Sequence, residues 1–190
     1  MPTEEGEALH DAVLGIGDLA GPVVEIGSYC GKSTVWLGAA AKETGRVVVT
    51  IDHHHGSEEM QAGWAHHDGD LVDTRTGRMD SLPELRRTLT AADLEDTVIA
   101  VVGHSAIVAL WWSRSAAMVF IDGGHGPVPA HADYDLWAPR VMPGGLLAIH
   151  DVFPDPADGG RPPYEIYLRA LDDGFVEEIA TGSLRVLRRT

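Results

Sequence analysis

The sequence predicts an α/β fold, with a doubly wound, mainly parallel sheet that ends in an antiparallel hairpin. Five short apolar segments alternate with helix-compatible segments, the pattern of successive β-α units. The last two strand-like segments flank Thr181-Gly182 and form a hairpin, so one of them must run antiparallel to its neighbours. A length of 190 residues suits one Rossmann-like domain spanning residues 1–190.

The elements follow from hydrophobic patterning and from helix-end signals. Apolar residues at helical spacing predict a lead-in helix over residues 7–19. Proline in the first turn marks the start of a helix at Ser81, and Met142-Pro143-Gly144-Gly145 ends another. The predicted strands are 23–26, 47–51, 98–102 (buried), 117–121, 146–149, 175–180 and 183–187. The predicted helices are 33–42, 81–90, 106–112, 130–141 and 164–171.

A turn after the first strand carries the most information about function. Glu25-Ile26-Gly27 is followed by Gly31 and then by a helix. Glycines let a backbone approach a ligand closely, and the start of a helix offers free N–H groups. The second strand ends at Asp52, an acid placed to hold the two hydroxyls of a ribose. Together they predict a cofactor that contains a nucleoside.

Three classes of cofactor compete for this turn. A dinucleotide motif needs a middle glycine where this chain has Tyr29, and a phosphate-binding Walker loop needs a glycine where it has Ile26. The third pattern, E-x-G-x-x-x-G, is matched by Glu25, Gly27 and Gly31. A non-catalytic nucleoside-binding module and a nucleotide-dependent oxidoreductase stay open as alternatives.

The third pattern resembles the first motif of class I S-adenosylmethionine (SAM) methyltransferases. The stretch from Phe120 to His125, F-I-D-G-G-H, followed by Pro143-Gly144-Gly145, resembles small-molecule O-methyltransferases, including metal-assisted members that modify sugars. The chain is also similar to actinobacterial enzymes that methylate a methylmannose oligosaccharide. The resemblance implies transfer of a methyl group from SAM to a hydroxyl of a small polar acceptor, a sugar or oligosaccharide, assisted by Mg²⁺ or Mn²⁺.

The resemblance also implies the residues of the cofactor site. Members of this family place them in the glycine turn and at the ends of the following strands, although His104 stands where many carry an acid. The implied cofactor-binding residues are Glu25, Gly27, Ser28, Tyr29, Gly31, Ser33, Asp52, His53, His104, Ser105 and Asp122.

The metal and the base are expected after the fourth and fifth strands. By position, the resemblance implies Asp122, His150 and Asp151 as metal ligands. His150 departs from the carboxylate or amide of such enzymes, so it is either a ligand for a softer metal or a general base. His125, on a glycine-rich turn, is the other candidate base. The expected catalytic residues are therefore Asp122, His125 and His150.

Residues 53–79 form a long, weakly periodic segment rich in His, Gly and Asp, which is typical of a functional lid. Its polar and aromatic side chains, Glu58, Glu59, Gln61 and Trp64, suit a sugar. The histidines at 53–55, 66 and 67 do not predict structural zinc, because consecutive residues cannot all face one ion.

The amino-acid composition limits the classes of partner that this protein is expected to bind. A net charge of −15 opposes binding to nucleic acid and to anionic membranes, and favours a small-molecule acceptor. The acidic N-terminus does not resemble a signal peptide, and no apolar run is long enough to span a membrane. The single cysteine, Cys30, excludes an intramolecular disulfide and agrees with a cytoplasmic location. The oligomeric state stays open, a homo-oligomer included.

Overall fold

The computed structural model describes residues 1–61, 63, 64 and 67–190, apart from the side chain of Glu59. A sheet of seven strands forms its centre, in the order β5-β2-β1-β6-β7-β9-β8, and β3 and β4 pair separately. The strands are β1 (Val23–Ile26), β2 (Val48–Asp52), β3 (Val72–Asp73), β4 (Arg78–Met79), β5 (Val98–Val102), β6 (Ala116–Ile121), β7 (Val141–Ile149), β8 (Phe175–Thr181) and β9 (Leu184–Arg189).

In the described part of the chain, six α-helices cover the two faces of the sheet. They are α1 (Thr3–Leu14), α2 (Lys32–Thr44), α3 (Leu82–Ala91), α4 (Ser105–Trp111), α5 (Pro127–Trp137) and α6 (Arg161–Asp172). Val23 of β1 packs into a core with α1, α2 and α3, whereas its neighbour Val24 packs into a second core with α4, α5 and α6. Both valines are fully buried, as expected for a central strand covered on both faces.

The strand directions confirm the predicted fold class. β5, β2, β1, β6 and β7 run parallel, β9 runs antiparallel to β7, and β8 runs antiparallel to β9. The carboxyl ends of the five parallel strands therefore meet at one edge. In sheets of this kind ligands bind beyond that edge, so the fold itself decides where to look for a site.

The prediction of a buried strand at 98–102 was wrong about burial. β5 is the outer strand and pairs with β2 on one side only. Ile99 and Val102 are 54% and 57% exposed. An apolar run of five residues marks a strand but does not distinguish a central strand from an edge strand.

Two boundaries also differ between helix α5 and strand β7. The helix predicted to reach residue 141 ends at Trp137 and continues as a 3-10 turn, Ala138–Arg140. Pro139 explains this, since proline has no backbone N–H to continue the α-helical hydrogen bonds. The predicted turn at 142–145 lies inside β7, where a register shift against β6 accommodates Gly144 at φ +78°.

Gly27→Ala tests how tightly the turn after β1 packs against the neighbouring strand. A Cβ on Gly27, at φ +91°, would lie 2.2 Å from the carbonyl oxygen of Asp122. We expect a loss of about 1 kcal/mol from backbone strain and roughly a further 1–3 kcal/mol from overpacking. Gly45→Ala is the matched control, because Gly45 also has positive φ but its Cβ would meet open space. Urea unfolding measures both, and equal losses would contradict the packing argument.

Candidate active site

A cavity of about 590 Å³ opens beyond the carboxyl ends of the parallel strands. This volume lies in the range of small-molecule sites. Residues that follow β1, β2, β5 and β6 line it together. Those predicted from the sequence are Gly27, Tyr29, Asp52, His53, His104, Ser105, Asp122 and His125.

Asp52 connects the glycine turn to the loop after β2. Its Oδ2 accepts a hydrogen bond from the Tyr29 backbone N–H at 2.8 Å, and its Oδ1 accepts one from the His54 N–H at 2.7 Å. Carboxylate oxygens have further lone pairs, so Asp52 can hold both loops and still accept from a ligand. The acid predicted to hold a ribose therefore also shapes the cavity that would receive it.

Glu25 lies behind the cavity and not in its lining. Its side chain is fully buried, and its two oxygens accept hydrogen bonds of 2.6 Å each from the hydroxyls of Ser33 and Thr34 at the start of α2. Burial raises the pKa of Glu25 to about 7, although these hydroxyls act in the opposite direction. Through these hydrogen bonds Glu25 and Ser33 hold the glycine turn to the start of α2. Thr34 has the same role, although the sequence analysis did not single it out.

The remaining predicted cofactor residues divide into two groups. Ser28 and Gly31 are outside the described cavity lining, with Ser28 only 2% exposed and Gly31 at the start of α2 with φ +92°. His53 and His104 are in the lining, and their ring centroids lie 4.5 Å apart. These two rings, tilted by 38° to each other, form part of the cavity wall.

Strained backbone conformations collect at this edge of the sheet. Tyr29, His54 and Asp151 all have positive φ, at 46°, 60° and 56°. Such conformations cost of order 1–3 kcal/mol each for residues other than glycine and concentrate at functional sites. They follow β1, β2 and β7 respectively, so the strain is shared by three of the loops that meet here.

Acids and histidines meet at the ends of β6 and β7. Ligand atoms of Asp122, His125 and Asp151 lie within 4.8 Å of one another, close enough to hold a metal ion. His125 Nε2 is 2.8 Å from Asp151 Oδ2. The sequence had predicted His150 beside these two acids, and the structure brings His125 to them as well.

His150 has carboxylates on both sides of its ring. Its Nε2 lies 2.8 Å from Glu5 Oε2, and its Nδ1 lies 3.1 Å from Asp122 Oδ1 and 3.2 Å from Asp151 Oδ2. Burial opposes protonation, but the two aspartates outweigh it and raise the pKa of His150 to about 11. A protonated imidazole neither accepts a proton nor ligates a metal. In this charge state the ring of His150 holds the acids in place. The roles of metal ligand and general base need the neutral ring, so both stay predictions.

Glu5 was missed by sequence reasoning. It lies in α1, is 3% exposed, and also accepts hydrogen bonds from the Ser183 backbone N–H at 2.6 Å and hydroxyl at 2.9 Å. Burial opposes its charged form, but the bonds from His150 and Ser183 prevail and lower the pKa of Glu5. Its partners lie 145 and 178 residues away, so no local pattern could have revealed them.

Residues 53–79 contain more structure than their weak periodicity predicted. β3 and β4 pair as a short hairpin, and Asp73 Oδ1 accepts from the backbone N–H groups of Arg75 and Thr76 at 2.8 Å each. Glu58, Met60 and Trp64 line the cavity, and Gln61 bonds to backbone carbonyls of its own loop. The Glu59 side chain and His66 are outside the described residues. The lid function of the segment stays a prediction.

Comparison with known proteins shows which protein family this chain belongs to. Residues 24–152 match the family model described as a methyltransferase domain, which is more than half of the chain. The chain therefore belongs to the methyltransferase family and is a SAM-dependent methyltransferase. This assignment agrees with the glycine turn and the acid that ends β2. Among the described residues, no helix combines the length and the apolarity needed to cross a membrane.

Several solved structures share the fold. The O-methyltransferase NovP aligns with a TM-score of 0.74 at 18% identity, over 98% of this chain and 80% of its own. The calicheamicin methyltransferase CalS11 aligns with a TM-score of 0.68 at 17% identity, over 96% and 76%. TomG from Streptomyces achromogenes, an O-methyltransferase of tomaymycin synthesis solved with SAM, aligns with a TM-score of 0.64 at 18% identity, over 100% and 82%.

The buried carboxyl of Glu25 predicts a measurable pH dependence of stability. The folded chain retains this proton up to about pH 7, whereas an unfolded glutamate loses it near 4.5. Stability is therefore lost as the pH rises through this window, and Glu25→Gln is expected to lack the loss. Between pH 4 and pH 8 the free energy of unfolding of wild type should fall by about 3 kcal/mol more than that of the variant. Urea unfolding at both pH values checks this, and parallel pH profiles would contradict it.

Proposed function

We propose that this protein is an O-methyltransferase that transfers the methyl group of SAM to a hydroxyl of a small polar acceptor, a sugar or an oligosaccharide. A divalent cation assists the transfer. The observation that carries this proposal is the meeting of Asp122, His125 and Asp151 in the region where the glycine turn and Asp52 face the same cavity. Cofactor binding alone would not require such a group.

The proposal that SAM is the cofactor is based on the turn after β1 and on Asp52 beside it. Gly27 and Tyr29 line the cavity, and Asp52 beside them would accept hydrogen bonds from the ribose hydroxyls of SAM or of its product S-adenosylhomocysteine. Two structures that share the fold were solved with these molecules, TomG with SAM and SMU.1697c with S-adenosylhomocysteine. Membership of the methyltransferase family favours this cofactor over the nucleotide of an oxidoreductase.

The metal part rests on the chemistry of the donors. Asp122 and Asp151 offer hard carboxylate oxygens, which suit Mg²⁺, and a histidine nitrogen would also admit Mn²⁺. His150 balances one negative charge among Glu5, Asp122 and Asp151, so the cluster as a whole attracts a cation. When bound, a divalent cation would polarise the acceptor hydroxyl as a Lewis acid.

His125 is the side chain best placed to take the acceptor's proton. It lines the cavity, while Asp151, 2.8 Å from its Nε2, can orient the ring and stabilise it once protonated. The acceptor oxygen then forms its bond to the methyl carbon as the carbon–sulfur bond of SAM breaks, which leaves S-adenosylhomocysteine. His125 cannot be ligand and base at the same nitrogen, so we assign the cation to Asp122 and Asp151.

The acceptor class is inferred from the outer part of the cavity. Ser57 and Glu58 offer polar groups there, and Trp64 offers an aromatic face for the apolar side of a sugar ring. The fold is shared by CalS11, which is described as a TDP-rhamnose 3'-O-methyltransferase. Incubation with isotope-labelled SAM and a panel of sugars, oligosaccharides and catechols tests the proposal. Label found in none of the hydroxyl acceptors would contradict it.

Asp52→Ala tests the cofactor part. We expect SAM affinity to fall by about 1.5–3 kcal/mol, because hydrogen bonds to a charged group are lost. Isothermal titration calorimetry measures the change. The control is Asp73→Ala, since Asp73 holds only the backbone of its own hairpin turn. Tight binding of NAD in place of SAM by the wild type would overturn the assignment.

The cation and the base are tested together. Chelation, Asp122→Ala and Asp151→Ala should each abolish turnover while leaving SAM affinity nearly unchanged, because the lost interaction concerns the acceptor. His125→Ala should lower kcat by roughly 10²–10⁴-fold. His131→Ala is the matched control, since His131 pairs with Glu165 of α6 and does not belong to the cavity lining. Full activity after chelation would leave a metal-free mechanism with His125 as base.

A further inference from the structure

Asp133 is a buried carboxylate at the cavity that the proposed reaction does not use. It lies on α5, is 4% exposed, and is among the cavity-lining residues. Its Oδ1 accepts a hydrogen bond from the hydroxyl of Ser105. Its Oδ2 lies beside Gly123, where an added Cβ would come within 2.9 Å of it. The absence of a side chain at position 123 leaves room beside this second oxygen.

The position of Asp133 relative to Asp52 indicates which part of the cofactor it meets. β5 lies next to β2 in the sheet, so Ser105, just beyond β5, is on the far side of Asp52 from the glycine turn. If the glycine turn takes the methionine part of SAM and Asp52 takes the ribose, the base lies on the other side of Asp52, toward Ser105 and Asp133. The paired rings of His53 and His104 flank the same part of the cavity.

We propose that Asp133 recognises the adenine of the cofactor by accepting a hydrogen bond from its 6-amino group, while Ser105 fixes the orientation of the carboxylate. This rests on the proposed SAM site. Adenine carries a donor at position 6, whereas hypoxanthine carries an oxygen acceptor there. An acceptor-only group at this place selects the first base and rejects the second.

A purely structural role does not account for the charge. The bond from Ser105 needs only one acceptor oxygen, which an asparagine would supply without burying a carboxylate. Burial raises the pKa of Asp133 to about 6, and the Ser105 hydroxyl opposes this rise. The group is thus ionised in mildly alkaline solution and acts there as an acceptor only. The residues from Gly103 to Ser105 bring no carboxylate of their own.

The test compares two ligands that differ at one position of the base. Calorimetry gives the affinity ratio of S-adenosylhomocysteine to S-inosylhomocysteine for the wild type and for Asp133→Asn at pH 8. The wild type should prefer the adenine ligand by roughly 10–100-fold. Binding of the hypoxanthine ligand would leave the buried carboxylate of Asp133 without a hydrogen-bond donor. In Asp133→Asn the ratio should fall by about tenfold or more, since the amide can donate to the 6-oxo group. Asp135→Asn on the same helix, where Asp135 pairs with Arg169, is the control and should keep the wild-type ratio.

The outcomes separate this inference from the proposed function. Failure of the wild type to bind S-adenosylhomocysteine would contradict the cofactor site itself. Binding with the same ratio in wild type and Asp133→Asn would overturn the role of Asp133 alone. Thermal unfolding checks that the variant folds. If it does not, Ser105→Ala keeps the carboxylate but removes its anchor, and an unchanged ratio in that variant would also overturn the inference.

Discussion

The protonated imidazole of His150 holds together three carboxylates from distant parts of the chain. Glu5 comes from the first helix, Asp122 from the end of β6 and Asp151 from the loop after β7. Without the imidazolium ring of His150 between them, these acids would repel one another in a poorly solvated place. Removal of one partner from a buried ion pair costs about 3–5 kcal/mol, because the remaining charge is left uncompensated. The position of α1 and the shape of the acid cluster therefore depend on the same ring.

This interaction also explains how two histidines near one another take different roles. His150 is enclosed, with both ring nitrogens beside carboxylates, so its proton is held firmly. His125 is a third exposed and lines the cavity, so a substrate can reach it. One histidine lies between the acids, and the other is the base that we propose for the acceptor. The same division holds among the acids, since Glu25 supports the glycine turn from behind while Asp52 lines the cavity.

Much of the fold could be predicted because its signals are local. The apolar run that ends at Glu25, the glycines at 27 and 31, and the second strand with its acid each lie within a few residues of one another. Errors arose where a neighbour in space decided the outcome. Burial of β5 depends on its place at the sheet edge, and the path of β7 through Gly144 depends on its register with β6.

The sequence by itself determined the order of strands and helices, the turn for the cofactor and the set of acids and histidines at the strand ends. Only the tertiary structure decided which of them meet. His125 joins Asp122 and Asp151, His150 lies between those two acids and Glu5, and Asp133 reaches the cavity from a helix. The physical reason is that periodicity and motif spacing report on neighbours along the chain. The charge state and role of a side chain depend instead on burial and on partners more than a hundred residues away.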